Sequence, residues 1–145
     1  VRLGSEVVRA AREWVGTPWR HQGRTRGVGV DCVGVAVGVA RELALLPPSW
    51  DYTAYAREPR GDALQQALEA ECTRLLLRKP GCLLLIRVGR QGRHLAIYAG
   101  HNWDSRSHTL IHASPRHRKV VEHGLTETWQ RAVIAAYGLP GVVYG

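Results

Sequence analysis

The sequence predicts an α+β fold, with N-terminal helices packed on an antiparallel β-sheet. Three observations carry that expectation. Through the first half of the chain, apolar residues recur at helical spacing and are divided by breaks at Gly16-Thr17-Pro18 and Pro47-Pro48. From Cys82 onward the period shortens to brief apolar runs separated by turn-rich segments. The order, helices first and strands after, keeps the two kinds of element apart instead of alternating them.

The first helix is expected to start at Ser5 as its cap and to run to about Val15. Val7, Val8, Ala11, Trp14 and Val15 then form one apolar face, and Gly16 followed by Pro18 supplies the stop. Residues 17–30, TPWRHQGRTRGVGV, read as a glycine-bearing basic loop. A second helix is expected from Asp31 to Leu46, stopped by Pro47-Pro48. Its small residues repeat four apart, Gly34 with Gly38 and Ala36 with Ala40. Glycine inside a helix costs about 1 kcal/mol against alanine, so the return expected is close packing at the centre of the domain. A third helix follows Gly61-Asp62, with Leu64, Ala67, Leu68, Cys72 and Leu75 on its apolar face. CLLLIRV, HLAIYAG, TLIHAS, KVVEHG and AVIAAYG then read as the strands of an antiparallel meander. The C-terminal LPGVVYG is apolar and glycine-bearing, a segment suited to docking on a neighbour.

The chain of 145 residues suits one domain over residues 1–145. Its net charge is +8, almost all from arginine spread along the chain. That balance fits either a solvated basic surface or an anionic partner such as nucleic acid, a cell-wall polymer or an acidic protein. No basic helix and no aromatic–basic alternation stands out, so nucleic acid is not the expected partner. The longest uncharged apolar run, Cys32 to Ala40, is far shorter than the roughly 20 residues of a membrane span. VRLGSEVVRAAREW lacks the apolar core of a signal peptide, and the expectation is synthesis in the cytoplasm without Sec-type export. Cysteines stand at 32, 72 and 82, with no CxxC pair, which argues against a disulfide scaffold and a zinc knuckle and leaves at least one free thiol. No metal or other cofactor is expected.

The stretch GVDCVGVAVG sets Asp31-Cys32 at the mouth of the small-residue helix. A cysteine in the first turn of a helix lies near unpaired backbone N–H groups and the positive end of the helix dipole. Both favour thiolate, and such settings lower a cysteine pKa from near 8.5 to roughly 3.5–7.5. His94 opens the strand HLAIYAG, and His112 interrupts LIHAS on a neighbouring strand. A nucleophile on a helix tip, a base on a strand and a third polar group on the next strand form a papain-like arrangement. Two readings of each residue stand at this point. Cys32 is a nucleophile or one more small buried residue. His94 and His112 are catalytic or satisfied structural histidines, and the order of the three favours catalysis. Cys72 and Cys82 read as core, while His101, His108, His117 and His123 receive no role. A Cys/His metal site is disfavoured by the lack of ligand-pair spacing.

AREWVGTPWRHQGRTRGVGVDCVGVAVGVAREL, KPGCLLLIRVGRQGRHLAIYAG, LIHAS and KVVEHGLTETW follow one another through most of the chain. In these stretches the sequence resembles the NlpC family of bacterial cell-wall cysteine peptidases, above all its branch in phage tails. The resemblance implies a small papain-like α+β domain with the nucleophile at a helix N-terminus packed on the sheet. It implies an endopeptidase acting on peptidoglycan stem peptides, typically between D-glutamate and diaminopimelate. Cys32 is then the nucleophile, His94 the general base and His112 the orienting residue, with the Cys32 N–H as one oxyanion donor. Asp31 caps or anchors the helix. Trp19, Arg20, His21 and Asp31 are the residues expected around the substrate. Arg20, Arg24 and Arg26 are either solvated loop charge or holders of stem-peptide carboxylates.

Two departures from the family pattern stand out. Trp19 occupies the place of a tyrosine whose hydroxyl serves the oxyanion site, and Gly81-Cys82 replaces Gly-Asp ahead of the first core strand. The tail branch implies a tail-tip component of a phage or a phage-like gene transfer agent, with tail-hub proteins as partners and action in the host periplasm or cell wall. The alternatives are a catalytically degenerate structural tail-tip component and an amidase or acyltransferase using the same fold and thioester.

Overall fold

The computed structural model describes residues 1–101 and 107–145. After a two-residue strand, β1 (Arg2–Leu3), helix α1 runs from Gly4 to Arg12. Ser5 is inside this helix and does not cap it. Leu3 holds the cap position, and its N–H donates to the Glu6 carboxylate at 2.7 Å. The helix also stops short of Val15. The chain passes through turns closed by Trp14 N–H to the Ala11 carbonyl and Thr17 N–H to the Trp14 carbonyl, and Gly16 takes a left-handed φ of 92°. The expected basic loop contains a small hairpin, β2 (Arg24–Thr25) with β3 (Gly29–Val30), which leads straight into the next helix.

Helix α2 (Cys32–Glu42) is buried along its length from Cys32 to Ala40. The close approach foreshadowed by its glycines is present. A Cβ on Gly38 would lie 2.3 Å from the Trp14 ring, and one on Gly34 would lie 2.3 Å from the Gly23 carbonyl oxygen. The helix ends four residues before Leu46. Leu45 N–H bonds the Ala40 carbonyl and Ala44 N–H bonds that of Arg41, with Ala44 at a left-handed φ of 57°. This Schellman closure, and not Pro47-Pro48, terminates it. Helix α3 (Ala63–Glu71) buries Leu64 and Leu68. Cys72 is its extended C-cap, and Leu75 lies in strand β4 (Thr73–Leu75), so neither belongs to the helical face predicted for it.

The strands β5 (Leu83–Val88), β6 (Gly92–His101), β7 (His108–Ser114) and β8 (Lys119–Gly124) form the expected meander. Helix α4 (Glu127–Ala132) then carries the chain back, and β9 (Val133–Gly138) inserts between β4 and β5. The predicted continuation of the meander past β8 fails because that edge is taken. Residues 16–19 run along it, with Val120 N–H bonding the Thr17 carbonyl and Trp19 N–H bonding that of Arg118. The last strand, β10 (Val142–Val143), pairs in parallel with β1, and the Tyr144 hydroxyl bonds the Gly81 carbonyl. The C-terminal segment therefore docks on its own chain.

Strand alternation divides the core. Leu83, Leu85, Leu95, Ile97, Ile111 and Val120 face the helices α1 and α2. Leu84, Ile86, Ala96, Tyr98 and Leu110 face the other side, where Trp129 of α4 and Tyr144 pack. The hydroxyl-free Cys82 is fully buried in this second cluster. Among the described residues, no helix is long and apolar enough to cross a membrane.

Candidate active site

A cleft of about 800 Å³ opens where the start of α2 meets strands β6 to β8. Its lining includes Trp19, Asp31, Cys32, His94, His112, His123 and Trp129. Cys32 is the first residue of α2, a position whose N–H has no acceptor within the helix. It is 6% exposed. Asp31 holds the helix start in place. Its Oδ1 accepts the Gly34 N–H at 2.9 Å, the standard capping bond, and Arg24 Nη1 at 3.0 Å. Its Oδ2 accepts the Gln22 N–H and the Tyr55 hydroxyl, each at 2.7 Å. Four donors therefore saturate a carboxylate that is 2% exposed. Asp31 anchors the nucleophile's helix and has no lone pair left to offer a substrate.

The histidines form a single file across three strands. His94 is 8% and His112 3% exposed. His94 Nε2 lies 2.8 Å from His112 Nδ1, and His112 Nε2 lies 2.8 Å from His123 Nε2. The file ends where His123 Nδ1 donates to the Gly124 carbonyl at 2.9 Å. Trp129 covers it, with ring centroids 5.1 Å from His112 and 4.9 Å from His123.

Sequence reading left His123 without a role because KVVEHG ends in a turn. The missed signal is strand parity. In the β7–β8 register His112 faces Val121 and Leu110 faces His123, which sets His123 one diagonal step from His112 on the same side of the sheet.

The electrostatics overturn the expectation of a ready-made thiolate. Burial pushes the Cys32 thiol up to about 12, and the Asp31 charge adds to that. The backbone N–H groups of Leu95 and Val33 and the Arg24 charge pull the other way and lose. Burial likewise pulls His94 down to about 4, against the attraction of Asp31. His112 is lowered further by burial and by the neighbouring rings of His94 and His123. The resting site is a neutral thiol beside neutral imidazoles. Among the described residues no hydrogen bond joins the Cys32 sulfur to His94 in this free state. Cys72 and Cys82 are pushed up to about 11 by burial as well, so the thiol of Cys32 is set apart by its neighbours and not by its acidity.

The expected arginines are placed elsewhere. Arg24 is spent on Asp31, Asp51 and Tyr55, and Arg26 lies 3.8 Å from Glu42. Arg20 is exposed, with its stem against Gly29, and His21 packs edge-on to Tyr55; neither lines the cleft. Trp19 does line it, with the Arg57 guanidinium 4.9 Å from its ring centre. Arg57, Arg93 and Arg116 are the cations the cleft actually presents. The loop sequence around Arg57 carried no motif by which to find it.

The fold has counterparts among solved structures. The NlpC/p60 domain of the peptidoglycan hydrolase SagA superposes with a TM-score of 0.62 at 20% identity, over 94% of this chain and 98% of that one. The chain has the NlpC/p60 fold. A lipoprotein-like protein of the same family from Staphylococcus aureus matches with a TM-score of 0.60 at 18% identity, over 94% of this chain and 41% of its own. In sequence, the chain is 28% identical over 131 residues to the Escherichia coli protein named murein DD-endopeptidase MepS/murein LD-carboxypeptidase. That alignment takes in 90% of this chain, which spans 60% of the length of MepS. No protein-family model matches the chain.

Proposed function

We propose that the protein is a thiol-dependent peptidoglycan peptidase with Cys32 as nucleophile. The observation that carries this is the meeting in one cleft of Cys32, at the tip of α2, with a histidine file that begins at His94. The names of the relatives, a murein endopeptidase and a peptidoglycan hydrolase, support the substrate class.

In this mechanism His94 takes the thiol proton as the sulfur attacks the scissile carbonyl carbon, because neither partner is ionised beforehand. The Cys32 N–H donates to the oxygen as it becomes negative. Collapse breaks the C–N bond, and the proton on His94 leaves with the amine. Water then attacks the thioester, giving a proton to His94 and releasing the acid and the thiol. His112 orients His94 throughout. Arg57, Arg93 and Arg116 hold carboxylates of the stem peptide. The bond taken is that between D-glutamate and diaminopimelate, and the setting is the tail tip of a phage or phage-like gene-transfer particle that delivers the domain to the host wall. Both of these finer assignments rest on the sequence resemblance; copurification with assembled tails tests the second.

One observation favours a competing reading. Trp19 stands in place of the tyrosine, and with a thiol pushed up to about 12 this is what a retired, structural tail-tip domain also presents. Incubating the protein and Cys32→Ala with a diaminopimelate-type muropeptide, then weighing the products, separates the two. Cleavage by the parent alone supports the peptidase and names the bond. No cleavage by folded parent protein supports the structural role. Transfer of the acyl group to an amine instead of water assigns the sister chemistry of an acyltransferase.

A further inference from the structure

The polarity of the histidine file can be deduced from its far end. A backbone carbonyl only accepts hydrogen bonds, so the 2.9 Å contact with the Gly124 oxygen places a proton on His123 Nδ1. In its neutral form an imidazole carries one N–H, and in that form His123 Nε2 is an acceptor. The proton in the 2.8 Å contact between His112 and His123 therefore belongs to His112 Nε2. His112 Nδ1 is then an acceptor in turn, and the proton in the 2.8 Å contact with His94 belongs to His94 Nε2. His94 Nδ1 is left with a bare lone pair.

We propose that His123, held by the Gly124 carbonyl, sets the tautomers of His112 and His94 in series and so selects Nδ1 of His94 as the nitrogen that acts as base. His123 is a positioning residue, since it acts through His112. The proposal deepens the peptidase reading and rests on it for its catalytic consequence, but the tautomer pattern itself stands apart from any activity. The arrangement differs from a base oriented by a carboxylate. Direction here comes from a neutral acceptor two rings away, and the file has only one polarity compatible with three neutral rings. Reversing it requires a donor at position 123, and His94 Nδ1 then carries a proton and cannot accept one from the thiol. The Trp129 ring packs beside both His112 and His123 and holds the two rings in the file.

Nitrogen-15 NMR of the imidazole rings in the intact parent chain at neutral pH tests this directly. The expected pattern is a pyrrole-type Nε2 and a pyridine-type Nδ1 on both His94 and His112, with the opposite pattern on His123. A protonated Nδ1 on His94 overturns the proposal, whatever the protein does to muropeptides. Three variants test the consequence. His123→Gln offers its amide oxygen to His112 Nε2–H and is expected to retain the His94 tautomer pattern. His123→Phe removes the acceptor and is expected to mix the two His94 tautomers and lower kcat by roughly 10–100-fold with KM little changed. His123→Lys supplies only donors and is expected to reverse the pattern. Unmixed parent-like tautomers in His123→Phe overturn the proposal. Should the parent itself fail to cleave while showing the expected tautomers, the peptidase reading fails and the structural assignment stands.

Discussion

Asp31 and His94 both line the cleft that holds Cys32, and each belongs to a buried polar network, yet the two networks are built differently. Around Asp31 the network is centred on an ion pair and closed. Arg24, Gln22, Tyr55 and Gly34 fill the carboxylate, and Asp51, Tyr55 and the carbonyls of Gly23 and Tyr52 take the rest of the Arg24 guanidinium. Around His94 the network is a file of imidazole rings, open at one end. Three rings point their protons toward the Gly124 carbonyl, which leaves a lone pair at the near end. A saturated network has nothing left to give a substrate and serves to hold the helix tip still. A directed file with one free valence can move a proton. The difference explains why Asp31 and Arg24, though conspicuous beside the cysteine in sequence, carry structure, and why the inconspicuous His123 belongs with the chemistry.

The comparison can be broken most forcefully on the charged side. Asp31→Ala removes the cap and leaves the largely buried Arg24 with Asp51 as its remaining carboxylate, and it is expected to cost about 3–5 kcal/mol in urea unfolding. A loss below about 1 kcal/mol contradicts the anchoring role. The neutral side responds to acid instead. His94 titrates at about 4 in the folded chain against a usual value of 6.5. Its folded pKa is lowered, so the unfolded state binds the extra proton first. The stability this neutral ring confers is complete above about pH 6.5 and is lost as pH falls toward 4, by about 3 kcal/mol. His94→Asn is expected to flatten that slope; a parent slope equal to that of the variant removes the argument.

Two smaller effects sharpen the contrast. The thiol, at about 12, is expected to give no thiolate absorbance over Cys32→Ala between pH 5 and 9, in line with a proton moved only on attack. A thiolate titrating below pH 8 in that difference spectrum restores the ion-pair picture instead. Trp19→Tyr returns a hydroxyl to the cleft. One added hydrogen bond of about 1 kcal/mol in the transition state corresponds to roughly a fivefold rise in kcat with KM unchanged, and a fall in kcat instead assigns Trp19 to substrate contact.

Much of this was legible in the sequence because local chemistry dictated it. The helix tip at Asp31-Cys32, the close approach at Gly34 and Gly38 and the four strands from Leu83 to Gly124 are all encoded by spacing over a few residues. What escaped depended on partners distant in the chain. The place of β9 was hidden because the edge of β8 is closed by residues more than a hundred positions earlier. The role of Arg24 depended on Asp51 and Tyr55, and the cationic lining on Arg57, both from a stretch without periodicity. The cysteine pKa departs from expectation because a helix N-terminus shows in sequence while the burial that outweighs it does not.

The central claim is that Cys32 forms a bond to the substrate. Mixing the parent protein with a diaminopimelate-type muropeptide, quenching with acid within the first turnover and mapping the peptides by mass reads this directly. The account predicts an acyl group on Cys32, released amine in equal amount, and neither on Cys72 or Cys82. Cleavage that proceeds with no adduct on Cys32, or that survives in Cys32→Ala, contradicts it.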